Sequence, residues 1–331
     1  EALHSAGLAG FAGRDPATLP LGDSPQPPPS GDSVDGVGGG VESMSRAPLI
    51  LSKATSAYDR GQQLADSTLG ARFTNPLFAA AFGGDTMPQT ADNIAADLGI
   101  SRAASDIFAA ASQARYEAAR VAGFFRDEII ATPVPQGRKL PPLQVTEDEH
   151  PRPDSTLQAL SGLRPLFEGG VVTAGNASGI NDGAAALVIG NRAIGEKYGV
   201  RPRARIVAGA IAGVEPRVMG LGPVFAARKA LARAGLTLAD MDIIEINEAF
   251  AIQVLSFLDH FGIADNDPRV NQYGGAIAVG HPLASSGVRL MINLARGFEE
   301  HPEVQYGLTT MCIGLGMGGS IIWENPHFNG K

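Results

Sequence analysis

The last third of the chain alternates apolar runs of strand length with longer segments of helical periodicity. The stretches "ARIVAGAIAGV" and "DIIEI" are typical of strands. In "PVFAARKALARAGL" and "SGVRLMINLARGFEE" the apolar residues recur at three- and four-residue intervals, as in amphipathic helices. The final "YGLTTMCIGLGMGGSIIWEN" predicts two strands joined by a glycine-rich hairpin. Strands and helices that alternate at these lengths predict a layered α/β sheet.

The rest of the chain is less regular. The stretch "TADNIAADLGISRAASDIFAAASQARYEAARV" predicts two amphipathic helices around a short glycine-containing turn. The stretch "GGVVTAGNASGINDGAAALVIG" predicts a strand, a tight loop, and then either a small-residue helix or a second strand. Residues 1–40 are dense in Pro, Gly, Ser and Asp without any period, and 131–155 are Pro-rich and charged. Such composition is typical of linkers and long surface loops.

Charge and cysteine usage restrict the possible partners and compartments. The net charge of -8 argues against a nucleic-acid partner, which would need clustered Lys and Arg. No apolar run reaches the length of a membrane span, and the first residues lack the order of a signal peptide. A single cysteine fits a reducing compartment. We therefore expect a soluble, cytoplasmic protein without membrane insertion.

Three segments place a chemically able side chain beside glycine or at the end of a predicted strand. They are "INEAF" with Asn247, "GGAIAVGHPLASSG" with His281, and "CIGLGMGG" with Cys312. Glycines beside a reactive side chain let a ligand or another backbone approach closely. A thiol among glycines is therefore better placed for access than for packing.

Each of these signals has a structural alternative when it is taken alone. Cys312 could be buried packing, since free cysteine is among the most buried residue types. His281 could be a hydrogen-bonded histidine at a helix start, and Asn247 with Glu248 could cap the helix that follows. Three such residues at consecutive junctions nevertheless favour a ligand site, because ligands of open α/β folds collect there.

The same blocks resemble a known family. "INEAFA", "NQYGGAIAVGHPLASSGVRL" and "CIGLGMGG" look like the three C-terminal signature blocks of the thiolases, enzymes that make or cleave 3-ketoacyl-CoA. The resemblance extends upstream through "EGGVVTAGNASGINDGAAAL", "DEHPRPDSTLQALSGLRP" and "MPQTADNIAADLGISRAASDIFA" to "GGGVESMSRAP". It covers nearly everything from about Gly31 to Glu324, in the order of the family.

The resemblance implies a fold. The thiolase fold is a layered αβαβα structure built from two similar βαβαβαββ halves, with a loop domain inserted in the first half. We expect an atypical N-terminal segment and a remnant of the first half over 1–48, and the loop domain over 49–180. The chain would return to the first half over 181–200 and form the second half over 201–325. The first half would be incomplete and would expose a sheet edge. Thiolases form homodimers or homotetramers, so we expect a homo-oligomer.

The resemblance also implies an acyltransferase that uses acyl-CoA and CoA as substrates, with no metal and no covalently bound cofactor. Cys312 would be the general acid/base beside the thioester carbonyl. His281 and a water held by Asn247 would stabilise the enolate oxygen. The backbone amide of Gly314 would supply half of a second oxyanion hole. Among the family's activities, "INEAFA" and "DEHPRPD" favour the degradative kind, as in fatty acid β-oxidation.

For the coenzyme, "TAGNASGIND" matches the pantetheine-contacting loop of the family, which implies contacts from Ala174 and Ser178. Met87 falls at the family position that lines the acyl pocket. The histidine that precedes this methionine in biosynthetic members is Thr86 here. The expected source of contacts to the CoA phosphates is a set of basic residues, namely Arg138, Lys139, Arg152 and Arg164.

One expected residue does not occur. A thiolase uses a second cysteine as its nucleophile, which by the family's spacing should fall near Arg14, where the sequence has no cysteine and several prolines. We expect residues 1–29 not to be the family's native segment. The alternative is a truncated or inactive homologue that binds CoA thioesters without acyl transfer. A nucleophile of another type is a third option.

Overall fold

The computed structural model describes residues 36–68, 70 and 72–330. Its strands are β1 Gly36–Glu42, β2 Leu49–Leu51, β3 Leu64–Asp66, β4 Thr132–Val134, β5 Leu143–Val145, β6 Gly183–Ile189, β7 Arg205–Gly213, β8 Ile243–Ile246, β9 Tyr306–Ile313 and β10 Met317–Glu324. Its α-helices are α1 Pro76–Phe82, α2 Met87–Leu98, α3 Arg102–Ala122, α4 Leu157–Ser161, α5 Arg192–Tyr198, α6 Gly222–Ala234, α7 Ala251–Phe261, α8 Ala276–Val279 and α9 Leu283–Glu300. Short 3-10 helices span Met44–Arg46, Pro216–Leu221 and Leu238–Asp240.

The main sheet has four strands in the order β7-β10-β9-β8. Strand β8 runs parallel to β9, and the other two pairs are antiparallel. Helix α6 covers one face, where Leu231 packs in the same buried cluster as Ile322. Helix α9 covers the other face, where Leu294 and Phe298 pack with Trp323. The sequence prediction of a layered α/β structure with a terminal hairpin is confirmed.

Helix α6 approaches strand β10 closely because both surfaces present glycine. A Cβ atom at Gly222 would lie 2.3 Å from the carbonyl oxygen of Met317, and one at Gly318 would lie 2.1 Å from the carbonyl carbon of Gly222. Atoms of a side chain cannot occupy such distances, so a larger residue at either position would push the helix away from the sheet.

A second, two-stranded sheet lies on the opposite side of α9. Strands β1 and β6 pair antiparallel, with Gly36 opposite Ile189. A Cβ atom at Gly40 would lie 1.8 Å from the carbonyl oxygen of Ala284, so β1 rests directly on the start of α9. The outer face of this strand pair is open in the described part of the chain, with Val37 75% and Val188 80% exposed. Helix α9 is therefore an inner layer between two sheets.

The two helices that the sequence predicts around a glycine turn are confirmed as α2 and α3. Gly99, in the left-handed conformation, ends α2, and the side chain of Ser101 accepts a hydrogen bond from the backbone N–H of Ala104 to cap α3. Helix α3 packs against α7 and α8. Helix α3, which lies between β1 and β6 in the sequence, therefore packs on the half of the molecule that contains the main sheet.

The prediction for residues 170–190 is partly wrong. No strand forms at 171–173, where only an isolated bridge joins Pro165 to Thr173. Side chains anchor this backbone instead, since the carboxylate of Asp92 accepts the N–H groups of Val171 and Val172. The segment that follows is a strand, β6, which decides between the two predicted alternatives.

Two further predictions concern the N-terminal segment and membrane insertion. The interpretation of residues 1–29 and the expected nucleophile near Arg14 lie outside the described residues. Among the described residues, no helix combines the length and the apolar character that crossing a bilayer would need.

Candidate active site

Asn247 and Cys312 lie at the same end of the main sheet. Ile246, the last residue of β8, pairs with Thr310 on the parallel strand β9. The backbone N–H of Asn247 then donates to the carbonyl oxygen of Thr310 at 3.0 Å. Cys312 follows two residues further along β9. The carboxyl end of β8 therefore brings Asn247 next to the strand segment that contains the thiol.

His281 reaches the same place from another segment. Its Nε2 lies 3.3 Å from the side-chain Nδ2 of Asn247. Its backbone N–H donates to Oδ1 of Asn181 at 3.2 Å, which fixes the loop between α8 and α9. Gly280 has a φ of 91°, and a Cβ atom there would lie 2.2 Å from the Asn181 side chain. Only glycine can therefore precede His281 in this loop.

The other ring nitrogen of His281 faces a serine. Nδ1 lies 2.6 Å from Oγ of Ser286, and the same hydroxyl lies 3.0 Å from the carbonyl oxygen of Pro282. Burial lowers the pKa of His281 to about 4, so the imidazole is neutral near pH 7. A neutral imidazole has a single N–H group, and the partner of one nitrogen decides which atom holds it. Ser286 is in the position to make that choice.

Cys312 is buried among apolar side chains. It belongs to one cluster with Met219 and Phe250, against which Met87 packs. Burial raises the pKa of the Cys312 thiol to about 12. The sulfur is therefore a protonated thiol near pH 7 in the unliganded protein, which suits a group that first gives a proton.

Gly314 begins the hairpin that joins β9 to β10. A Cβ atom built on Gly314 meets nothing within 4 Å, so the space beside its backbone is open. The hairpin continues through Leu315 with a φ of 66° and Gly316 with a φ of 91°. The tight turn leaves the backbone of Gly314 accessible just beyond the thiol.

The loop that the resemblance links to pantetheine lies beside the segment after Asn247. Ala177 forms a bridge with Phe250, and both the backbone N–H and the hydroxyl of Ser178 donate to the carbonyl oxygen of Ala249, at 3.0 and 3.2 Å. Ala174 is exposed at the start of this loop. Asn176 holds the loop from inside, since its Oδ1 accepts the N–H of Thr173 at 2.8 Å.

The predicted binding residues differ in burial and in their contacts with the site. Met87 lies in the cluster around Cys312, and Thr86 is the N-cap of α2, where its backbone N–H donates to the Gln89 side chain at 2.8 Å. The four basic residues expected near the CoA phosphates are all exposed, namely Arg138, Lys139, Arg152 and Arg164.

The interpretation of Asn247 and Glu248 as a helix cap is wrong. Helix α7 begins at Ala251, and its N-cap is Phe250. The carboxylate of Glu248 is instead fully buried and accepts a hydrogen bond of 2.6 Å from the hydroxyl of Ser112 on α3. Neither side chain caps α7: Asn247 contacts His281, and Glu248 binds Ser112.

Two residues of the site were missed from the sequence. Met219, in "VMGLGP", is buried in the Cys312 cluster, and its place after a proline-containing turn was the available signal. Ser286 could have been found from its spacing, because residues five positions after a histidine at a helix start can face back to it. The structure thus brings Asn247 and His281 into contact at the end of the sheet that contains Cys312, and it adds the hydroxyl of Ser286 beside the imidazole.

Models of two family domains match this chain. The thiolase N-terminal domain matches residues 29–193, and the thiolase C-terminal domain matches residues 200–325. Together the two matches extend over most of the 331 residues.

Curated relatives share about half of the aligned residues. A β-ketoadipyl-CoA thiolase of Escherichia coli is 52% identical over 297 residues, which is 89% of this chain and 73% of the relative. A β-ketoadipyl-CoA thiolase of Pseudomonas aeruginosa is 52% identical over 289 residues, covering 87% and 71%. An acetyl-CoA acetyltransferase of Chromobacterium violaceum is 43% identical over 299 residues, covering 90% and 74%.

Solved structures agree with these relatives. Human mitochondrial 3-ketoacyl-CoA thiolase in complex with CoA superposes with a TM-score of 0.78 at 38% identity, covering 88% of this chain and 71% of that chain. The acetyl-CoA acetyltransferase of Bacillus anthracis superposes with a TM-score of 0.80 at 33% identity, covering 88% and 72%. The layered architecture is the thiolase fold, and the expected substrates, CoA and its thioesters, are those of this group of acyltransferases. The chain belongs to the thiolase family.

Proposed function

We propose that this chain acts in thiolytic cleavage of a 3-ketoacyl-CoA, or the reverse condensation, and that Cys312 moves the proton at the carbon beside the thioester carbonyl. The observation that supports this most directly is the 3.3 Å contact between Asn247 and His281 at the end of the main sheet where β9 contains Cys312. Each of them comes from a different segment, so their proximity is a property of the fold and not of local sequence.

The proton step uses the thiol as general acid in cleavage and the thiolate as general base in condensation. In cleavage, a thiolate nucleophile first adds to the β carbonyl carbon, and the bond between the α and β carbons then breaks. The acyl group leaves as a thioester of that nucleophile, and the electron pair of the broken bond forms the enolate of acetyl-CoA. The thiol of Cys312 then gives its proton to the α carbon. The raised pKa of the buried thiol keeps this proton in place near pH 7. The protonation state of Cys312 in the unliganded protein is therefore the one that the cleavage direction needs.

The enolate oxygen needs a donor that does not itself ionise. In the unliganded structure the hydroxyl of Ser286 donates to the carbonyl oxygen of Pro282 and Nδ2 of Asn247 faces Nε2, so the ring N–H is on Nδ1. A neutral His281 provides the donor once Ser286 turns its proton from Pro282 to Nδ1, because the ring N–H is then on Nε2. Asn247, whose Oδ1 is buried without a partner in the described structure, would hold the water that completes the oxyanion site. Loss of one such donor typically costs about 2.7–4 kcal/mol of transition-state stabilisation.

The remaining residues have binding roles in this proposal. The backbone N–H of Gly314 would stabilise the tetrahedral intermediate of acyl transfer. Met87 would contact the acyl chain, since it packs on the Cys312 cluster. Ala174 and Ser178 would line the path of pantetheine, beside the segment that follows Asn247.

For the substrate, we propose 3-oxoadipyl-CoA ahead of a fatty 3-ketoacyl-CoA. Relatives that share 52% of aligned residues with this chain are named β-ketoadipyl-CoA thiolases. The interpretation as a β-oxidation enzyme came from two short motifs. Identity over nearly the whole chain is the stronger support.

A second candidate function rests on the cysteine count. The 331 residues contain one cysteine, and the proposal gives it the proton-transfer role. The chain could therefore bind CoA thioesters and exchange their α protons without forming an acyl-enzyme. Domain boundaries and the homo-oligomeric state remain predictions under either function.

The two candidates differ in one measurement. The intact mass of the purified 331-residue chain is recorded before and after incubation with acetyl-CoA. A gain of one acetyl group supports full acyl transfer, and thiolysis of 3-oxoadipyl-CoA is then compared with that of 3-oxohexanoyl-CoA, which lacks the terminal carboxylate. Faster thiolysis of 3-oxohexanoyl-CoA would contradict the proposed substrate. An unchanged mass supports the second candidate.

A further inference from the structure

The carboxylate of Glu248 joins three segments that are far apart in the sequence. Its Oε2 accepts the hydroxyl of Ser112 at 2.6 Å and the backbone N–H of Ile277 at 3.1 Å. Its Oε1 accepts Nδ2 of Asn271 at 2.8 Å. The residue has no exposed surface. Helix α3, helix α8 and the end of β8 therefore meet at one buried group.

The hydrogen bonds around this group have fixed directions. The hydroxyl of Ser112 accepts the N–H of Gly275 at 3.1 Å, so its own proton points to Glu248. The amide of Asn271 is held by the backbone of Ile246, with Oδ1 accepting at 2.8 Å and Nδ2 donating at 2.9 Å. All three partners of Glu248 are consequently donors, and the site fits an acceptor at both oxygens.

Residues larger than glycine do not fit at positions 274 and 275, in the loop beside Glu248. A Cβ atom at Gly275 would lie 2.2 Å from the carboxyl carbon of Glu248, and one at Gly274 would lie 2.6 Å from Cβ of Tyr116. The loop thus packs directly on the carboxylate. This packing is a specific contact between the loop that contains Gly275 and Glu248, the residue after Asn247.

The two ends of this contact are the two halves of the oxyanion site. Glu248 is the neighbour of Asn247, and Ile277, in the short helix α8, lies four residues before His281. Nδ2 of Asn247 and Nε2 of His281 are 3.3 Å apart. Since His281 and the water held by Asn247 must face one enolate oxygen in the proposed function, a shift of their segments changes the geometry on which catalysis depends.

We propose that Glu248 is a positioning residue for the α-proton transfer, and that its buried carboxylate holds Asn247 and His281 in register through Ile277, Asn271 and Ser112. This inference rests on the proposed function of Cys312. Glu248 touches no reacting atom in this role. Loss of the Glu248 carboxylate should therefore lower the exchange rate at saturating substrate and leave the affinity for CoA unchanged.

The test is the exchange of the α protons of acetyl-CoA in D2O. In this reaction the thiolate of Cys312 takes a proton from carbon, the thiol exchanges with solvent, and a deuteron returns to the same carbon, so no acyl group has to be transferred. Glu248→Gln keeps the shape of the side chain but directs an NH2 group at a donor. We expect its saturating exchange rate to fall about 10- to 100-fold, with the Kd for CoA within about twofold of wild type.

The matched control is Glu245→Gln. Glu245 is also fully buried, on β8, but its hydrogen-bond partner is Asn293 of α9 at 3.4 Å, away from the loop that contains His281. This variant should exchange at the wild-type rate. Rates are expressed per CoA-binding site, so a loss of folded protein does not imitate the effect. If Glu248→Gln does not fold, Ser112→Ala replaces it, with an expected fall of about 3- to 10-fold.

Each outcome decides between the claims. A wild-type exchange rate in Glu248→Gln or Ser112→Ala would overturn the positioning role alone. A weakened Kd for CoA with an unchanged saturating rate would also overturn it, because it would place Glu248 in binding. Absence of exchange in the wild-type chain would overturn the proposed function and this inference together.

Discussion

The backbone N–H of Asn247 donates to the carbonyl oxygen of Thr310 at 3.0 Å, one residue beyond the last pair of strands β8 and β9. This bond extends the parallel ladder past the end of β8 and sets the height of Asn247 against β9. Cys312 lies two residues further along, so the spacing between the amide side chain and the thiol follows from strand register. A bulge between them would separate the proposed acid/base from the proposed oxyanion site.

Ser286→Ala tests the choice of tautomer at His281. Without the hydroxyl at 2.6 Å from Nδ1, no side chain there can turn a proton to Nδ1 and hold the ring N–H on Nε2 when substrate binds. We expect the α-proton exchange rate to fall about 10- to 100-fold at an unchanged Kd for CoA. The 15N chemical shifts of the His281 ring, recorded with acetyl-CoA bound, should show loss of the Nε2–H form.

Ser285→Ala is the matched control for this prediction. Ser285 is buried next to Ser286, and its hydroxyl contacts the carbonyl oxygen of Pro282 at 3.2 Å. It removes the same atoms from the same turn of α9 without touching the imidazole. Equal losses in the two variants would mean that the turn and not the tautomer matters.

The pH dependence of exchange follows from two pKa values. The pKa of Cys312 is raised to about 12, and the reacting form is the thiolate, so the exchange rate should rise about tenfold per pH unit between about pH 6 and 9. The pKa of His281 is lowered to about 4, so no inflection is expected near its ordinary value of about 6.5. Deuterium incorporation measured against pH, with the rate for free acetyl-CoA subtracted, checks both. A plateau above about pH 7 would contradict the raised pKa.

Glu245 should make the protein less stable as the pH rises. Burial raises its pKa from 4.5 to about 8 in the folded state, so between these values the folded protein holds a proton that the unfolded chain has lost. The free energy of unfolding therefore falls through this window. Glu245→Gln removes the effect, and we expect its Tm to exceed the wild-type value by about 2–4 °C at about pH 8.5 and to approach it near pH 5.

Thermal unfolding of both proteins at the two pH values measures this difference. Glu196→Gln is the control, because Glu196 is an exposed carboxylate paired with Arg192 on α5. Its Tm should follow the wild-type value at both pH values. A Glu245 variant that is equally or more stabilised at pH 5 would contradict the assignment.

The sequence predicted the alternating elements, the terminal hairpin and the three catalytic candidates, because each is encoded locally. The periodicity of "RAASDIFAAASQARYEAARVA" is that of a helix in any context, and glycines around Cys312 and His281 are visible directly. The resemblance to thiolases was carried by the same C-terminal segments.

The support of the site could not be predicted, because it depends on contacts between distant segments. Ser112 and Glu248 are 136 positions apart in the chain, and Asn181 and His281 are 100 apart. Local propensity left a helix-cap role open for Asn247 with Glu248, which the packing of α3 and the Gly275 loop overrides. Likewise, Val171 and Val172 have high strand propensity but bind the carboxylate of Asp92 in place of a neighbouring strand.

The most direct test of the central claim compares α-proton exchange of acetyl-CoA by the wild-type chain and by Cys312→Ala. Met311→Leu is the control, since it changes the neighbouring residue of β9 without removing the thiol. The account predicts that Cys312→Ala loses exchange by about 10²–10⁴-fold, while Met311→Leu and the wild-type chain exchange at similar rates. Exchange by Cys312→Ala at the wild-type rate would contradict the assignment of Cys312 as the residue that moves the proton.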